Sequence, residues 1–425
     1  MKGNDHIINE TILNFKFFGA ENHLSIPDQL ENWFMHTIVD HISDVFDAFT
    51  NKGEHIEIDQ LHIDLGQMNY KLFQEGLEAV FKEKLRRKIG ALLTAPIKEG
   101  GESRVKIHTK EELLEQYFIH FIKLGYLPWE AAHLRIGDLE NEILEANRNV
   151  QFSLLKALVP LLHQEKIQRR LSFNFSASFI LKMKQLISER YGVIPEISPF
   201  HLADFNTTTK RKQLWKKLAH SLHFGRSPRI KKDQALTIAE REPLKPNGSA
   251  EKAELTLNNA KISVSDAGSV LMHPFLSPLF ENLGLTINHT FKDAKQQEKA
   301  IGLLFFMARG HMDFTEPQVT LLKLLCGKPI AEPLQFEPKI SEKEKEEVQA
   351  VLQAAIGHWS ALKNTGIETF RNTFLKREGQ LLIEDGCMEI TVAQETVDIL
   401  LDQLPWSLSR VNLPWVDRQI RVNWA

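Results

Sequence analysis

The sequence predicts an α+β protein with an N-terminal β-α-β-α unit, a helical middle and a C-terminal mixed unit with helices and a β-hairpin. Three observations support this fold class. Apolar residues alternate with polar ones over residues 55–65 and then recur at helical spacing over 72–92. Helical spacing continues from 109 to about 223, and two alternating runs flank the turn-forming pair Asp385 and Gly386.

The predicted N-terminal unit spans residues 1–100. Residues 6–18 mix β-branched and aromatic side chains, which favours a strand, and the apolar stripe over 30–49 predicts an amphipathic helix. In the run HIEIDQLHIDLG the alternation changes phase near Gln60, so we expect a strand with a bulge or turn there. The helix that follows this strand should end before Pro96.

The middle of the chain is predicted to be a helical domain over residues 105–225. Its apolar residues recur at helical spacing in short stretches that Gly or Pro residues separate. Residues 226–268 are polar and rich in turn-forming residues, with PLKPNGSAEKAE at their centre. This composition indicates a linker or long loop, and a domain boundary is expected within it.

The predicted C-terminal domain spans residues 269–425 and is of α+β type. Its clearest helix covers 344–359, where apolar residues share one face and acidic residues lie at the positive end of the helix dipole. The run GQLLIEDGCMEITV predicts a two-residue hairpin that places Ile383 opposite Met388. The last stretch contains Leu-Pro-Trp twice and predicts edge strands or extended segments, because proline is poorly suited to a central strand.

The composition excludes several classes of protein. The 52 basic and 55 acidic residues give a net charge of −3, so the chain as a whole has no charge suited to binding nucleic acid or an anionic membrane. Cys326 and Cys387 lie far apart, which argues against a disulfide scaffold or a zinc knuckle. No stretch resembles a signal peptide or a membrane span, so we expect synthesis in a reducing cytoplasm and no direct membrane insertion.

One cluster of metal-binding residue types lies on the strand predicted over 55–65. Alternate strand residues point to one face, and histidines with carboxylates can hold zinc. A solvated sheet face explains the same pattern and is favoured, because the apolar residues occupy the intervening positions. No GxSxG, HExxH, GxGxxG or complete phosphate-loop motif is present, so we expect no catalytic residues, no cofactor and no metal. The residues of the cluster are His55, Glu57, Asp59, His62 and Asp64.

Two features are candidate interaction surfaces. Residues 210–232 contain nine Lys or Arg residues and no acidic residue, with Leu and Trp interleaved. An acidic protein partner is favoured over nucleic acid because the whole chain is slightly acidic, while a solvated amphipathic helix is the simpler alternative. Aromatic residues after proline near the C-terminus are candidates for interface anchors, although Trp is also common in cores. The candidate interface residues are Lys212, Lys216, Lys217, Arg229, Trp406 and Trp415.

Five stretches of the sequence resemble the tape measure protein family of phage-tail-like contractile injection systems. The resemblance covers the N-terminal unit and nearly all of residues 269–425. The resemblance implies a bacterial particle in which a sheath contracts around an inner tube, and it brings no catalytic residues. The stretches are HIEIDQLHIDLG, HPFLSPLFENLGL, LLKLLCGKPIAEPL, HWSALKNTGIETFRNTFLKREGQL and LPWSLSRVNLPW.

The resemblance leaves two structural roles open. Even a wholly helical chain of this length would reach only about 640 Å, and the predicted strands and turns shorten it further. We therefore expect a globular cap or cap adaptor at the end of the tube, and the alternative is a tape-measure or assembly-scaffold protein inside the tube that sets its length. A hydrolytic effector carried as cargo is a distant third.

The resemblance also implies partners and a location. The partners would be inner tube, sheath or cap proteins of the same particle, and the chain would form a homo-oligomer, with a hexameric ring as one arrangement. It would be assembled in the bacterial cytoplasm, within a particle that is extracellular after release.

Overall fold

The computed structural model describes residues 39–49, 54–67, 70–94, 105–131, 133–192, 207–224, 260–384 and 387–424, together with scattered positions between 6 and 16. The contacts divide the chain into two compact units, Met1–Leu113 and Leu114–Ala425. The α+β class predicted from the sequence is confirmed. Both the predicted helical domain and the predicted C-terminal domain lie mainly in the second unit, and their individual bounds stay predictions.

The described residues of the first unit form two helices and a two-stranded antiparallel sheet. The strands pair over their full length, with Ile56 opposite Ile107. Apolar residues of the two helices form a small core that the half-buried Leu61, Ile63 and Leu65 cover. The elements are α1 (Val39–Asp47), β1 (Glu54–Ile58), α2 (Tyr70–Thr94) and β2 (Val105–Thr109).

The strand predicted over 55–65 with a bulge or turn near Gln60 is only partly present, and the prediction that it continues beyond Gln60 is wrong. β1 ends at Ile58, and the residues that follow have no regular structure, yet every second one still turns an apolar side chain towards the small core. The predicted strand over 6–18 is not present at the positions described there, which have no regular structure. Much of the helix predicted over 30–49 lies outside the described residues. Helix α1 corresponds to the C-terminal part of that prediction.

The second unit begins with a series of short helices. An aromatic group lies at their centre, where Phe175 stacks on Phe179 with ring centroids 4.4 Å apart and Phe118 packs edge-on against Phe175 at 5.5 Å. The helical middle predicted over 105–225 is confirmed as secondary structure from Lys110 onward in the described residues, whereas its first five residues form strand β2 instead. The helices are α3 (Lys110–Leu124), α4 (Ile136–Glu145), α5 (Arg148–Leu158), α6 (Glu165–Asn174), α7 (Ala177–Tyr191) and α8 (Thr208–Phe224).

From residue 260 onward, the described residues of the second unit form five α-helices and two sheets. A five-stranded sheet has the order β3-β6-β7-β9-β8, and β4 pairs with β5 in a small hairpin. The strands are β3 (Ala260–Val264), β4 (Thr286–Ile287), β5 (Thr290–Phe291), β6 (Gly379–Glu384), β7 (Cys387–Val392), β8 (Arg410–Val411) and β9 (Ile420–Asn423). The helices are α9 (His273–Asn282), α10 (Ala294–Arg309), α11 (Thr320–Leu325), α12 (Glu342–His358) and α13 (Ile367–Phe370).

The hairpin and the long helix predicted for this region are confirmed. Strands β6 and β7 pair with Ile383 opposite Met388, which is the predicted register. Helix α12 begins at a capping box in which the Ser341 hydroxyl and the Glu344 carboxylate each bind the backbone N–H of the other residue. Its buried face ends at Trp359, which is fully buried.

Two strands of the large sheet differ from the predictions. The sheet begins at Ala260, within the stretch predicted to be a linker, because β3 pairs along β6 with Ile262 opposite Leu381. At the other end, β8 is an edge strand as predicted, whereas β9 lies inside the sheet, parallel to β7 and antiparallel to β8. The two prolines of the Leu-Pro-Trp repeats lie outside these strands, so the strand interior keeps its donors.

Candidate functional site

The candidate basic surface lies on helix α8. Leu214, Trp215 and Leu218 are buried, so the helix packs through one apolar face, mainly against α6. Lys216 and Lys217 point to the opposite side and are exposed. This division is what an amphipathic helix requires, and it leaves both lysines available to a partner.

The other two basic candidates are Lys212, which forms an ion pair, and Arg229, which the structure does not describe. Lys212 lies 2.7 Å from the carboxylate of Glu165 on α6, and its side chain is 33% exposed. Glu165 also pairs with Arg169 at 2.9 Å, and these two cations lower its pKa to about 2. Part of the positive charge of Lys212 is therefore compensated within the fold. Arg229 lies outside the described residues.

Trp406 and Trp415 occupy comparable positions in the two Leu-Pro-Trp repeats. The indole N–H of Trp406 donates to the carbonyl oxygen of Leu271 at 3.1 Å, and that of Trp415 donates to the carbonyl oxygen of Leu325 at 2.8 Å. Leu271 belongs to a 3-10 helix, Ala267–Met272, that leads into α9, and Leu325 is the last residue of α11. The two tryptophans therefore attach the C-terminal segment to these helices.

Both indole rings also pack against neighbouring aromatic side chains. Trp406 meets Phe275 edge-on at 5.2 Å, and Trp415 lies 5.4 Å from Phe280 and 5.2 Å from Phe291. Each ring is half-buried, so part of it remains at the surface. A contact with a partner through either ring stays a prediction.

The metal candidates of the first unit contact other groups instead. Glu57 on β1 lies 3.0 Å from Lys106 and 3.4 Å from His108, both on β2. Although burial raises its pKa, these two neighbours bring the pKa of Glu57 below its usual value. Asp64 accepts a hydrogen bond from the backbone N–H of Gly66 at 2.8 Å. In the part of the chain that the structure describes, no group of three or more His, Cys, Asp or Glu residues could hold a metal ion.

The two cysteines differ in burial. Cys326 is completely buried, and burial raises the pKa of its thiol well above the usual value. Cys387 is half-buried at the start of β7. Both are unpaired cysteines packed as small side chains.

A buried charge cluster in the second unit could not be located from the sequence. The guanidinium of Arg170 on α6 donates to Glu316 at 2.8 and 3.0 Å, and also to the carbonyl oxygens of Ile122 and Ala331. Lys323 on α11 approaches the same carboxylate to 2.5 Å. Arg170, Glu316 and Lys323 are all essentially inaccessible to solvent. The cluster thus joins the helical part of the unit to the part that carries the sheet.

Burial and the neighbouring charges act together on the pKa values in this cluster. Although burial raises the pKa of Glu316, Arg170 and Lys323 bring it below its usual value. Burial lowers the pKa of Lys323 to about 8, against the opposing effect of Glu316. Asn174 completes the arrangement, since its side-chain oxygen accepts the backbone N–H of Glu316 at 2.7 Å. These contacts make the cluster structural, because none of its charges reaches the surface.

The chain matches the family model for the contractile injection system tape measure protein over residues 5–424. It belongs to this family. Comparisons with curated proteins and with solved structures give no match. The match includes both compact units, so it applies to the helical middle as well as to the stretches that first suggested the resemblance.

The fold explains what several of the resembling stretches do in this tape measure family member. LLKLLCGKPIAEPL contains Lys323 of the buried cluster and Lys328, which lies 3.1 Å from the buried carboxylate of Glu298. LPWSLSRVNLPW contains the two anchoring tryptophans. These stretches hold the C-terminal part of the fold together, and the exposed basic residues of α8 lie outside them. No helix among the described residues is long and apolar enough to cross a membrane.

Proposed function

We propose that this chain is a non-enzymatic structural component of a contractile injection particle and that it helps to set the length of the inner tube. The family match over residues 5–424 carries the proposal. Tube and sheath proteins would be its partners, and it would be assembled in the bacterial cytoplasm within a particle that is later extracellular. A ruler of this kind acts by binding and by its dimensions, so it needs no catalytic group.

The experiment changes the length of the chain and measures the length of the tube. Forty residues inserted between residues 240 and 255 add about 60 Å if they are helical and about 130 Å if they are extended. A ruler transmits this increment to the tube, which electron microscopy of purified particles measures. A variant of wild-type length, with the same stretch scrambled, is the control and should give normal tubes. Unchanged tube length in the insertion variant would contradict the proposal.

A second candidate role is a cap or cap adaptor at the end of the tube. One observation favours it: the longest described helix has 25 residues, which corresponds to about 38 Å, and residues 260–424 form a compact sheet-containing body. Such a component would form a homo-oligomer that follows the ring symmetry of the tube, with a hexamer as the expected case.

The same particles distinguish the two roles. A cap gives a closed ring of ordered copies at one end of the tube, and its loss leaves tubes of irregular end structure. A ruler lies along the lumen in few copies, and its loss leaves tubes of irregular length. Cryo-electron microscopy of particles with a labelled chain therefore decides between them.

A further inference from the structure

Positive charges from three helices of the second unit lie near one another. Lys123 lies in the last turn of α3, Lys166 and Arg169 lie on α6, and Lys212 and Lys216 lie on α8. We call these five residues the cationic patch. The sequence shows only the α8 members as a cluster, because the other three are more than forty positions away along the chain.

The contacts that connect the patch are specific. Arg169 and Lys212 share the carboxylate of Glu165, at 2.9 and 2.7 Å. Lys166 is half-buried next to them, and its pKa is lowered by burial and by the positive charges of Arg170 and Lys123. Lys216 lies one helical turn beyond Lys212 and is exposed.

The charges of the patch are poorly compensated. Among the described residues, Lys123, Lys166 and Lys216 have no ion-pair partner, and Glu165 is the only acid paired with the other two. The lysines around helix α12 are different, because each has an acidic partner: Lys345 pairs with Glu342 at 2.6 Å, and Lys299 pairs with Glu344 at 2.7 Å. Like charges held together cost free energy, and an approaching anionic group offsets that cost.

We propose that the cationic patch docks an acidic surface of another protein of the particle. Its partner supplies carboxylates to Lys123, Lys166 and Lys216, the three cations without a counter-ion. An acidic protein surface fits better than duplex nucleic acid, because the evenly spaced phosphates of a stiff duplex would also meet the Glu165 carboxylate within the patch, whereas carboxylates of a polypeptide can be placed opposite the three lysines alone. Only one part of this proposal rests on the proposed function, namely that the partner is a protein of the same particle.

The test begins with the purified full-length chain and fluorescent poly-L-glutamate as the probe. The variant Lys123→Glu/Lys216→Glu reverses two exposed charges, so it leaves the packing of the patch intact. The control Lys343→Glu/Lys363→Glu makes the same change of net charge at two other exposed lysines of the same unit. Thermal unfolding of both variants checks that the fold is retained.

We expect the patch variant to bind poly-L-glutamate at least about tenfold more weakly than the wild-type chain, and the control to bind within about twofold of it. Added salt should weaken wild-type binding, because the contacts are exposed. Equal binding by the two variants would overturn the proposal, as would tighter binding of a duplex oligonucleotide than of poly-L-glutamate.

Incorporation into particles separates this proposal from the role in tube length. If the patch variant loses binding to poly-L-glutamate and its incorporation falls, the docking proposal stands. If the binding is lost and incorporation is unchanged, the patch does not dock within the particle, and the ruler function is unaffected. A third outcome is that the insertion described above leaves tube length unchanged, while the patch variant is still not incorporated into particles. The ruler function would then be contradicted, and the docking surface would be supported.

Discussion

Asp266 shows how a single buried side chain affects the stability of the fold. It is almost completely buried just after β3, and one carboxylate oxygen lies 2.7 Å from Nε of Arg309. Burial raises its pKa to about 6, although Arg309 acts in the opposite direction. The folded chain therefore holds the proton of Asp266 more tightly than the unfolded chain does.

This shift predicts a pH dependence of stability with a definite sign. A carboxyl group with a raised pKa contributes stability that is present below pH 4 and is lost as the pH rises through about 6. The loss amounts to about 3 kcal/mol for a shift of this size. We expect the unfolding free energy of Asp266→Asn to increase relative to that of the wild type as the pH rises from 4 to 7. Measuring the unfolding free energy of both proteins at each pH tests this.

A second variant makes this prediction more stringent. Arg309→Gln removes the cation that lowers the pKa of Asp266, so the loss of stability should become larger and extend to higher pH. Parallel pH profiles for the wild type and Asp266→Asn would show that Asp266 has no such role.

At the scale of elements, two helices of the second unit end at glycines with similar backbone conformations but different surroundings. Gly125 follows α3 with φ of +88°, and Gly192 follows α7 with φ of +65°. A Cβ atom at Gly125 would lie 2.7 Å from Oε1 of Glu316 and 2.8 Å from Nη2 of Arg170, whereas a Cβ atom at Gly192 would have no neighbour within 4 Å. The end of α3 is therefore fitted to the buried charge cluster.

Alanine at these two positions separates backbone strain from packing. Gly192→Ala should cost about 1 kcal/mol, because only the left-handed conformation is penalised. Gly125→Ala should cost about 2–4 kcal/mol, because it adds a clash with groups that cannot move without breaking the cluster. Denaturant unfolding measures the loss of unfolding free energy for both variants. Equal losses would mean that the buried charge cluster rearranges around the added methyl group without loss of stability.

The elements predicted correctly from the sequence are those that local interactions determine. In the sequence of β6 and β7 the turn-forming pair Asp385 and Gly386 separates two alternating runs, and α12 has a cap and an apolar face of its own. By contrast, β2 and β3 are each five residues long and depend on partners that lie far along the chain. Such strands take their stability from pairing rather than from their own sequence, so their composition gave little indication of them.

At the scale of the whole molecule, the buried charge cluster is the feature that could not be predicted from the sequence. Arg170 and Lys323 belong to residue types that are almost never buried, so the sequence predicts them at the surface. Glu316, which pairs with both, is 146 positions from Arg170 in the sequence. The amphipathic pattern of α8 could be seen in the sequence, but the pairing of Lys212 with Glu165 depends on tertiary structure.

The cluster also predicts how the second unit unfolds. Glu316→Gln leaves Arg170 and Lys323 buried without a counter-charge and should cost about 3–5 kcal/mol. The helical part and the sheet-containing part should both exchange amide hydrogens faster, because the cluster contacts both. Hydrogen exchange with mass spectrometry measures each part separately.

The same substitution at an exposed acid provides the control for this prediction. Glu342 pairs with Lys345 at the surface, and Glu342→Gln should change stability by less than about 0.5 kcal/mol. Faster exchange in the helical part alone after Glu316→Gln would show that the two parts unfold independently.

The pairing of β3 with β6 has a consequence for synthesis of the chain. Ile262 is opposite Leu381 in the finished sheet, so β3 leaves the ribosome long before its partner exists. At ordinary rates of translation the delay is roughly 6–24 s. We expect the nascent strand to remain accessible to chaperones and proteases for that time, and proteolysis of chains stalled before Gly379 would detect this. The large sheet is thus completed only when the C-terminal stretch is translated, however early its first strand was made.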